Sequence, residues 1–315
     1  MPAVPNTHVR LWGVPLTPPV ARAYFCVQAA CGIVWWILVA SVPEMRDLTL
    51  GSLPALPVAV ADLPLFVGAS ALAACGVRWA AWLVSGWTAL VTAALSVYAT
   101  ATTQAGWGAL VMIAATIGSA TAGSVIVRGE SSARWLLSGP LALREARAAG
   151  RLRNLSATAL QIVVFWGLFL VVIPLVVSWF ERRWGVDVPF PVLIRGIGFV
   201  GLIAASALGL WSGATMAALG DGTPLPSATA RKLVFAGPYR YVRNPMAVAG
   251  IAQGVFVGVL LGSWLVVVWA LCGSLVWNSL IRPFEEEDLE TRFGDVFRAY
   301  RDRVRCWVPG RAWRG

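Results

Sequence analysis

Charge is scarce in this sequence. Only 13% of its 315 residues are Asp, Glu, Lys or Arg, against roughly 25% in soluble domains. There is a single lysine, Lys232, and a single histidine, His8, which lies in a proline-rich N-terminal segment and reads as solvated. The five cysteines are Cys26, Cys31, Cys75, Cys272 and Cys306; no CxxC occurs, and most lie inside apolar runs. They read as small packing residues rather than disulfide partners or metal ligands. One histidine and no cysteine cluster leave a zinc or haem site without its ligands. No GxGxxG or P-loop sits between a strand and a helix, which argues against a Rossmann-type nucleotide site. The segment Met1–Arg22 is polar and lacks the short apolar core and small-residue cleavage site of a signal peptide. The first apolar run is therefore expected to stay in place as a span.

What replaces charge is hydrocarbon, at 58% of the residues. Apolar runs of the length a helix needs to cross a bilayer, about 20 residues, recur along the chain. In lipid the backbone must satisfy its own hydrogen bonds, so such runs become helices. Eight spans are expected, at roughly 23–42, 57–77, 79–99, 106–127, 157–179, 191–211, 245–261 and 263–281. The second is the weakest, interrupted by Pro57, Asp62 and Pro64; the last two form a hairpin turning near Gly262 and Ser263. The fold class is all-α: a polytopic membrane helical bundle of about eight transmembrane helices, with a cytoplasmic C-terminal amphipathic helix. Small residues such as Gly118, Ala122 and Gly123 in the fourth span allow close helix approach.

A net charge of +10 could signal nucleic acid. Here the bases lie between apolar runs, so topology is the better reading and no nucleic-acid partner is expected. With the N-terminus inside, all but four of the 25 Lys and Arg residues (Arg46, Arg182, Arg183 and Arg195) fall on the cytoplasmic side. The positive-inside rule selects this orientation, with both termini cytoplasmic. The scarcity of lysine beside abundant Ala, Gly and Val points to a GC-rich bacterial genome, hence a bacterial cytoplasmic membrane. Three regions follow: a four-span N-terminal region, 1–127; an Arg-rich cytoplasmic connector, 128–156; and a membrane domain, 157–315. The connector reads equally as an interfacial amphipathic helix on anionic lipid or as an ordinary basic loop.

Two polar stretches stand out in the last region. Residues 220–250 combine turn formers, basic residues and tyrosines before a span begins at Asn244-Pro245. Proline at a helix start and asparagine as its cap need no further function. Residues 281–310 carry Phe284, Leu289, Phe293, Val296, Phe297, Tyr300 and Val304 near helical spacing, with Gly294 as a possible bend. The acidic run Glu285–Asp288 suits the helix N-terminus and the following arginines its C-terminal end. Arg282 and Glu286, four residues apart, share a face. Opposite charges meeting at a membrane boundary can hold a zwitterion.

GPYRYVRNPM at 237–246, a hairpin of two spans, R-x-x-E-E-x-x-L at 282–289 and FGDVFRAYRDRV at 293–304 together resemble the isoprenylcysteine carboxyl methyltransferase family. That family sits in a wider group of membrane methyltransferases that includes phospholipid methyltransferases. The likeness covers residues 220–309 and says nothing of 1–156. It implies S-adenosyl-L-methionine as cofactor and methyl transfer to a lipophilic small-molecule or lipid acceptor at the cytoplasmic face, by carboxyl O-methylation or lipid methylation. Carried over by position, the cofactor contacts are Arg231, Lys232, Leu233, Val234, Tyr239, Asn244, Pro245, Met246, Ala247 and Glu286, and Arg282 is the substrate-side arginine. No catalytic acid or base is implied. Glu286 is expected to meet the cofactor's ammonium, Tyr239 to pack near its sulfonium, and Arg282 to orient an acceptor carboxylate or phosphate. Where the family commonly has His-Pro-x-Tyr, this chain has Asn244-Pro245-Met246-Ala247, and Tyr241 is the nearest aromatic that could compensate. A non-catalytic lipid-binding or partner-binding module on the same fold is the alternative. A transporter is less well supported, because Asp62 is nearly the only ionisable group within the spans.

Overall fold

The computed structural model describes residues 10, 11, 14–129, 151–220, 232–310, 312 and 313. Most of the connector 128–156, including the segment read as an interfacial helix, lies outside them. Apart from one antiparallel pairing of β1 (Arg10–Leu11) with β2 (Val14–Pro15), the regular structure among the described residues is helical. Two compact units form: residues 1–134 with 180–187, and residues 135–179 with 188–315.

The first unit holds α1 (Pro18–Ser41), a short α2 (Pro43–Thr49), α3 (Ala55–Asp62), α4 (Ala69–Ala74), α5 (Arg78–Thr102) and α6 (Gly106–Arg128). Proline opens α1 and α2, where its missing N–H costs no hydrogen bond. The span expected to be weakest does form. A π-helical stretch, Leu63–Gly68, contains Pro64 and joins α3 to α4, so Ala55–Ala74 is one apolar helix of 20 residues.

Polar side chains of this unit turn inward while large apolar ones face out, as lipid as solvent requires. Gln28 donates to Ser70 Oγ at 3.0 Å and accepts from Ser119 Oγ at 3.0 Å, joining α1, α4 and α6. Asp62 is buried, and each of its oxygens accepts an indole N–H, from Trp36 at 2.9 Å and from Trp87 at 2.8 Å. The interruption that weakened the second span in the sequence is thus a three-helix junction. Gly118 does what its size suggested: a Cβ there would collide with the ring and hydroxyl of Tyr24, whose O–H donates to the Ala115 carbonyl at 3.2 Å.

The second unit contains α7 (Arg151–Phe165), a π-helical stretch Trp166–Val172 and most of α8 (Ile173–Arg183). It continues with α9 (Val192–Leu219), α10 (Pro245–Leu261), α11 (Trp264–Val276), a π-helical stretch Trp277–Ile281 and α12 (Arg282–Arg303). Gly198 and Gly201 of α9 bring it close to Val259 and Phe256 of α10, and Gln253 donates to Ser206 Oγ at 3.0 Å across the same contact. The α10–α11 hairpin turns where expected. Gly262 takes φ 66°, a conformation glycine adopts without penalty, and Ser263 Oγ caps α11 by accepting from Val266 N at 3.2 Å.

Seven helices among the described residues are long and apolar enough to cross a membrane, and α10, with 17 residues, is a shorter eighth. The molecule is a polytopic helical membrane protein. The last long helix, Trp264–Arg303, is apolar only in its first part; charge begins at Arg282, so α12 lies beyond the spanning segment. Inside α12 Gly294 has φ 53° and ψ −128°, which breaks the helix. Arg298 and Arg301 then reach back to Glu290 at 3.2 and 2.6 Å. Residues eight and eleven apart in a straight helix stand about 12 and 17 Å apart along its axis, so these ion pairs report a bend at Gly294.

Candidate functional site

The 237–246 motif is a short, buttressed loop. Gly237–Arg240 form one 3-10 turn, with Pro238 and Tyr239 buried. The C-terminal tail holds the loop through its backbone: Arg243 N donates to the Arg305 carbonyl at 3.0 Å, Gly310 N to that of Tyr241 at 3.0 Å, and Trp313 N to that of Arg240 at 2.9 Å. Tyr300 of α12 donates its hydroxyl to the Tyr239 carbonyl at 2.6 Å. Trp313 stacks on Phe235 at 5.8 Å and meets Tyr300 edge-on at 5.7 Å. The second half of α12 and the tail therefore set the loop's position. The part played by the tail has no signature in the sequence beyond the position of Trp313.

This clasp brings Arg243 and Asn244 against the start of α12. Arg243 Nη1 donates to Glu286 Oε1 at 2.8 Å, and Arg282 Nε lies 3.9 Å from the same oxygen. Asn244 occupies the N-cap position of α10, but its side chain makes no cap bond; it hydrogen-bonds Glu285 instead. The capping expected of Asn244 is thus replaced by a tertiary contact. Among the described residues, Glu285 Oε2, Arg243 Nε and Arg282 Nε are buried atoms with no hydrogen-bond partner. One acceptor and two donors are left over in a single cluster, the complement of a ligand carrying an ammonium and a carboxylate.

The electrostatics follow from burial. The Glu285 carboxyl is pushed up to about 7, by desolvation first, with the Asn244 hydrogen bond opposing and the Glu286 and Asp288 carboxylates adding. Tyr239 is raised well beyond the ordinary phenol range by burial, with the charge of Glu285 and then Tyr300 reinforcing, so its ring stays neutral. Burial also raises the Cys306 thiol, against a hydrogen bond from Arg282. On the other side of Glu286 a cavity of about 560 Å³ opens, lined by Glu286, Glu287, Glu290, Thr291, Arg298 and Arg301. It lies between the two arms of α12 that Gly294 creates.

The residues carried over by resemblance divide into three groups. Asn244, Glu286 and Arg282 converge, and Tyr239 lies close enough to Glu285 for its charge to be felt. Leu233 packs against Phe297, Tyr300 and Val304, and Val234 is buried, whereas Lys232 is exposed with its N–H on the Gly220 carbonyl at 3.1 Å. Pro245 is buried in the first turn of α10, where Met246 and Ala247 are half-buried. Arg231 lies outside the described residues. Tyr241 is 44% exposed. Two members of the cluster were not singled out from sequence, Arg243 and Glu285. Each adjoins a residue that was, and the phase of loop and helix decides which of two neighbours faces in.

Residues 197–296 match the family model of phospholipid methyltransferases. The matched stretch contains most of α9, the 237–246 loop, the hairpin and the charge cluster of Arg243, Asn244, Arg282, Glu285 and Glu286. Phospholipid and isoprenylcysteine carboxyl methyltransferases fall within one group of membrane methyltransferases, and the resemblance read from the sequence holds at the level of that group. The match supports a membrane methyltransferase. No curated protein and no solved structure matches the chain.

Proposed function

We propose that the chain is an S-adenosylmethionine-dependent methyltransferase acting at the cytoplasmic face of a bacterial membrane. Its acceptor is a lipophilic molecule that reaches the site laterally from the bilayer, methylated on a carboxyl group or as a lipid. The observation that carries this reading is the set of unpartnered polar atoms on Arg243, Arg282 and Glu285, grouped around the Arg243–Glu286 ion pair inside the matched segment 197–296. When bound, the cofactor supplies an activated methyl group. The protein's own work is to bind, orient and exclude water, which requires no acid or base.

In this reading Glu286 receives the cofactor's ammonium and exchanges it for the Arg243 guanidinium. Arg243, released, takes the carboxylate at the same end of the cofactor. Tyr239, neutral and buried, walls the site, and the backbone of 231–234 holds the adenine end. Arg282 faces the acceptor. The orientation with both termini cytoplasmic rests on the distribution of Lys and Arg, and it puts the loop and α12 on that side.

Calorimetry in detergent tests the reading. S-adenosylmethionine is expected to bind the wild type, Glu286→Ala to abolish binding, and Arg282→Ala to bind cofactor while transferring poorly. No binding at millimolar cofactor sinks the enzyme and leaves the non-catalytic module. Equal loss of cofactor affinity in both variants refutes the division of roles.

A further inference from the structure

The first unit carries a second feature, independent of the methyl-transfer reading and outside the matched segment. Trp79, Trp82, Leu83, Gly86, Trp87 and Leu90 line a shallow, open groove of about 590 Å³ along one face of α5. Their three- and four-residue spacing draws out a slot about 17 Å long. Its floor is Gly86, where an added Cβ would meet nothing within 4 Å. Its walls stand outward, with Trp79 61% and Trp82 54% exposed.

One end of this apolar slot is cationic. Arg78, the first residue of α5, donates from Nη2 to the carbonyl of Val127, the residue before Arg128. The Arg128 guanidinium lies 5.8 Å from the centre of the Trp82 ring, a wall of the slot. Two guanidinium groups thus share the end of α6 beside the mouth. Among the described residues neither makes an ion pair with a carboxylate, and both are exposed. Interfacial tryptophans, an apolar groove and two exposed guanidinium groups at one end are complementary to an amphiphile with a hydrocarbon tail and an anionic head.

We propose that this slot binds an anionic phospholipid, one acyl chain lying over Gly86 and the phosphate resting on Arg78 and Arg128. A zwitterionic phospholipid carries its own ammonium beside the phosphate and gains less from the pair. Inorganic phosphate has no chain for the slot. With the N-terminus inside, the lipid comes from the cytoplasmic leaflet.

The test is a titration of the full chain in detergent with phosphatidylglycerol, phosphatidylcholine and inorganic phosphate, read by native mass spectrometry. Wild type should retain phosphatidylglycerol in clear preference to phosphatidylcholine. The double variant Arg78→Gln/Arg128→Gln should bind phosphatidylglycerol about 30-fold more weakly, the equivalent of about 2 kcal/mol from two basic groups at a membrane surface, with phosphatidylcholine unaffected. Gly86→Leu projects into open space, so the helix should tolerate it, and it should weaken both lipids by filling the floor. Trp82→Leu, which removes the ring beneath Arg128, gives an independent second variant. The proposal is overturned if wild type shows no preference between the lipids, if the arginine variant keeps it, if Gly86→Leu binds phosphatidylglycerol as wild type does, or if inorganic phosphate displaces the lipid at equal concentration.

Discussion

Arg243 and Glu286 form the most informative pair in the molecule, because their ion pair does two separable things. Their side chains are 15% and 23% exposed and meet at 2.8 Å. Removing one partner of a fully buried pair costs 3–5 kcal/mol, while an exposed pair is worth about 0–1 kcal/mol. At this depth Arg243→Met should cost about 2 kcal/mol of stability, since among the described residues Glu286 would keep only Arg282, at 3.9 Å. Arg243→Met/Glu286→Gln removes both charges and should cost less than the two single changes together, by about 1 kcal/mol or more. Cofactor affinity should behave differently. If Arg243 takes the carboxylate and Glu286 the ammonium, each variant loses one charge-assisted bond, about 1.5–3 kcal/mol or roughly 10- to 150-fold in affinity. The double variant should then bind more weakly than either. Thermal unfolding and calorimetry on the four proteins measure both quantities. Arg243→Met binding S-adenosylmethionine as tightly as wild type, or more tightly, would show that Arg243 only occupies Glu286 and would refute the exchange.

Three further outcomes follow from the geometry. The Glu285 carboxyl is raised to about 7, so in the ligand-free protein its neutral form persists above the ordinary carboxylate range. Its contribution to stability should therefore be complete below the ordinary carboxylate range and lost as pH rises through about 7. A bound ammonium reverses the preference, so cofactor affinity should rise over the same window, and both trends should flatten in Glu285→Gln. Gly294→Ala should lose about 1–3 kcal/mol in thermal unfolding, purely from backbone strain, because φ 53° with ψ −128° excludes a side chain although nothing lies within 4 Å of its Cβ. Trp313→Ala removes the ring stacked on Phe235 and edge-on to Tyr300 and should raise hydrogen exchange at Arg243 and Val242 more than in α5, separating a loosened loop from general destabilisation.

The helical bundle was legible in the sequence because lipid demands a one-dimensional signal, length and apolarity, and each of the eight expected runs lies largely within helix. The ends were less so. The helix α9 runs on to Leu219 rather than stopping near 211, since nothing apolar or polar need change where a helix leaves the bilayer. Asp62 and Pro64 looked like flaws in a span; a π-helical stretch and two indole donors from other helices absorb them. The site was legible as a pair of motifs but not in its phase. Glu285 and Glu286 are neighbours pointing to different partners, one to Asn244 and one to Arg243. Only the angle between the loop and α12 decides which is which, and the tail contacts of Arg305, Gly310 and Trp313 that hold the loop lie outside the motifs.

The most direct measurement of the central claim is transfer itself: purified protein, S-adenosylmethionine labelled in the methyl group, and a total lipid extract from the source membrane. The account predicts label in an organic-soluble product with wild type, little with Arg282→Ala despite retained cofactor binding, and none with Glu286→Ala. Cofactor that binds while no acceptor in the extract gains label, with the protein shown to be folded, would contradict it.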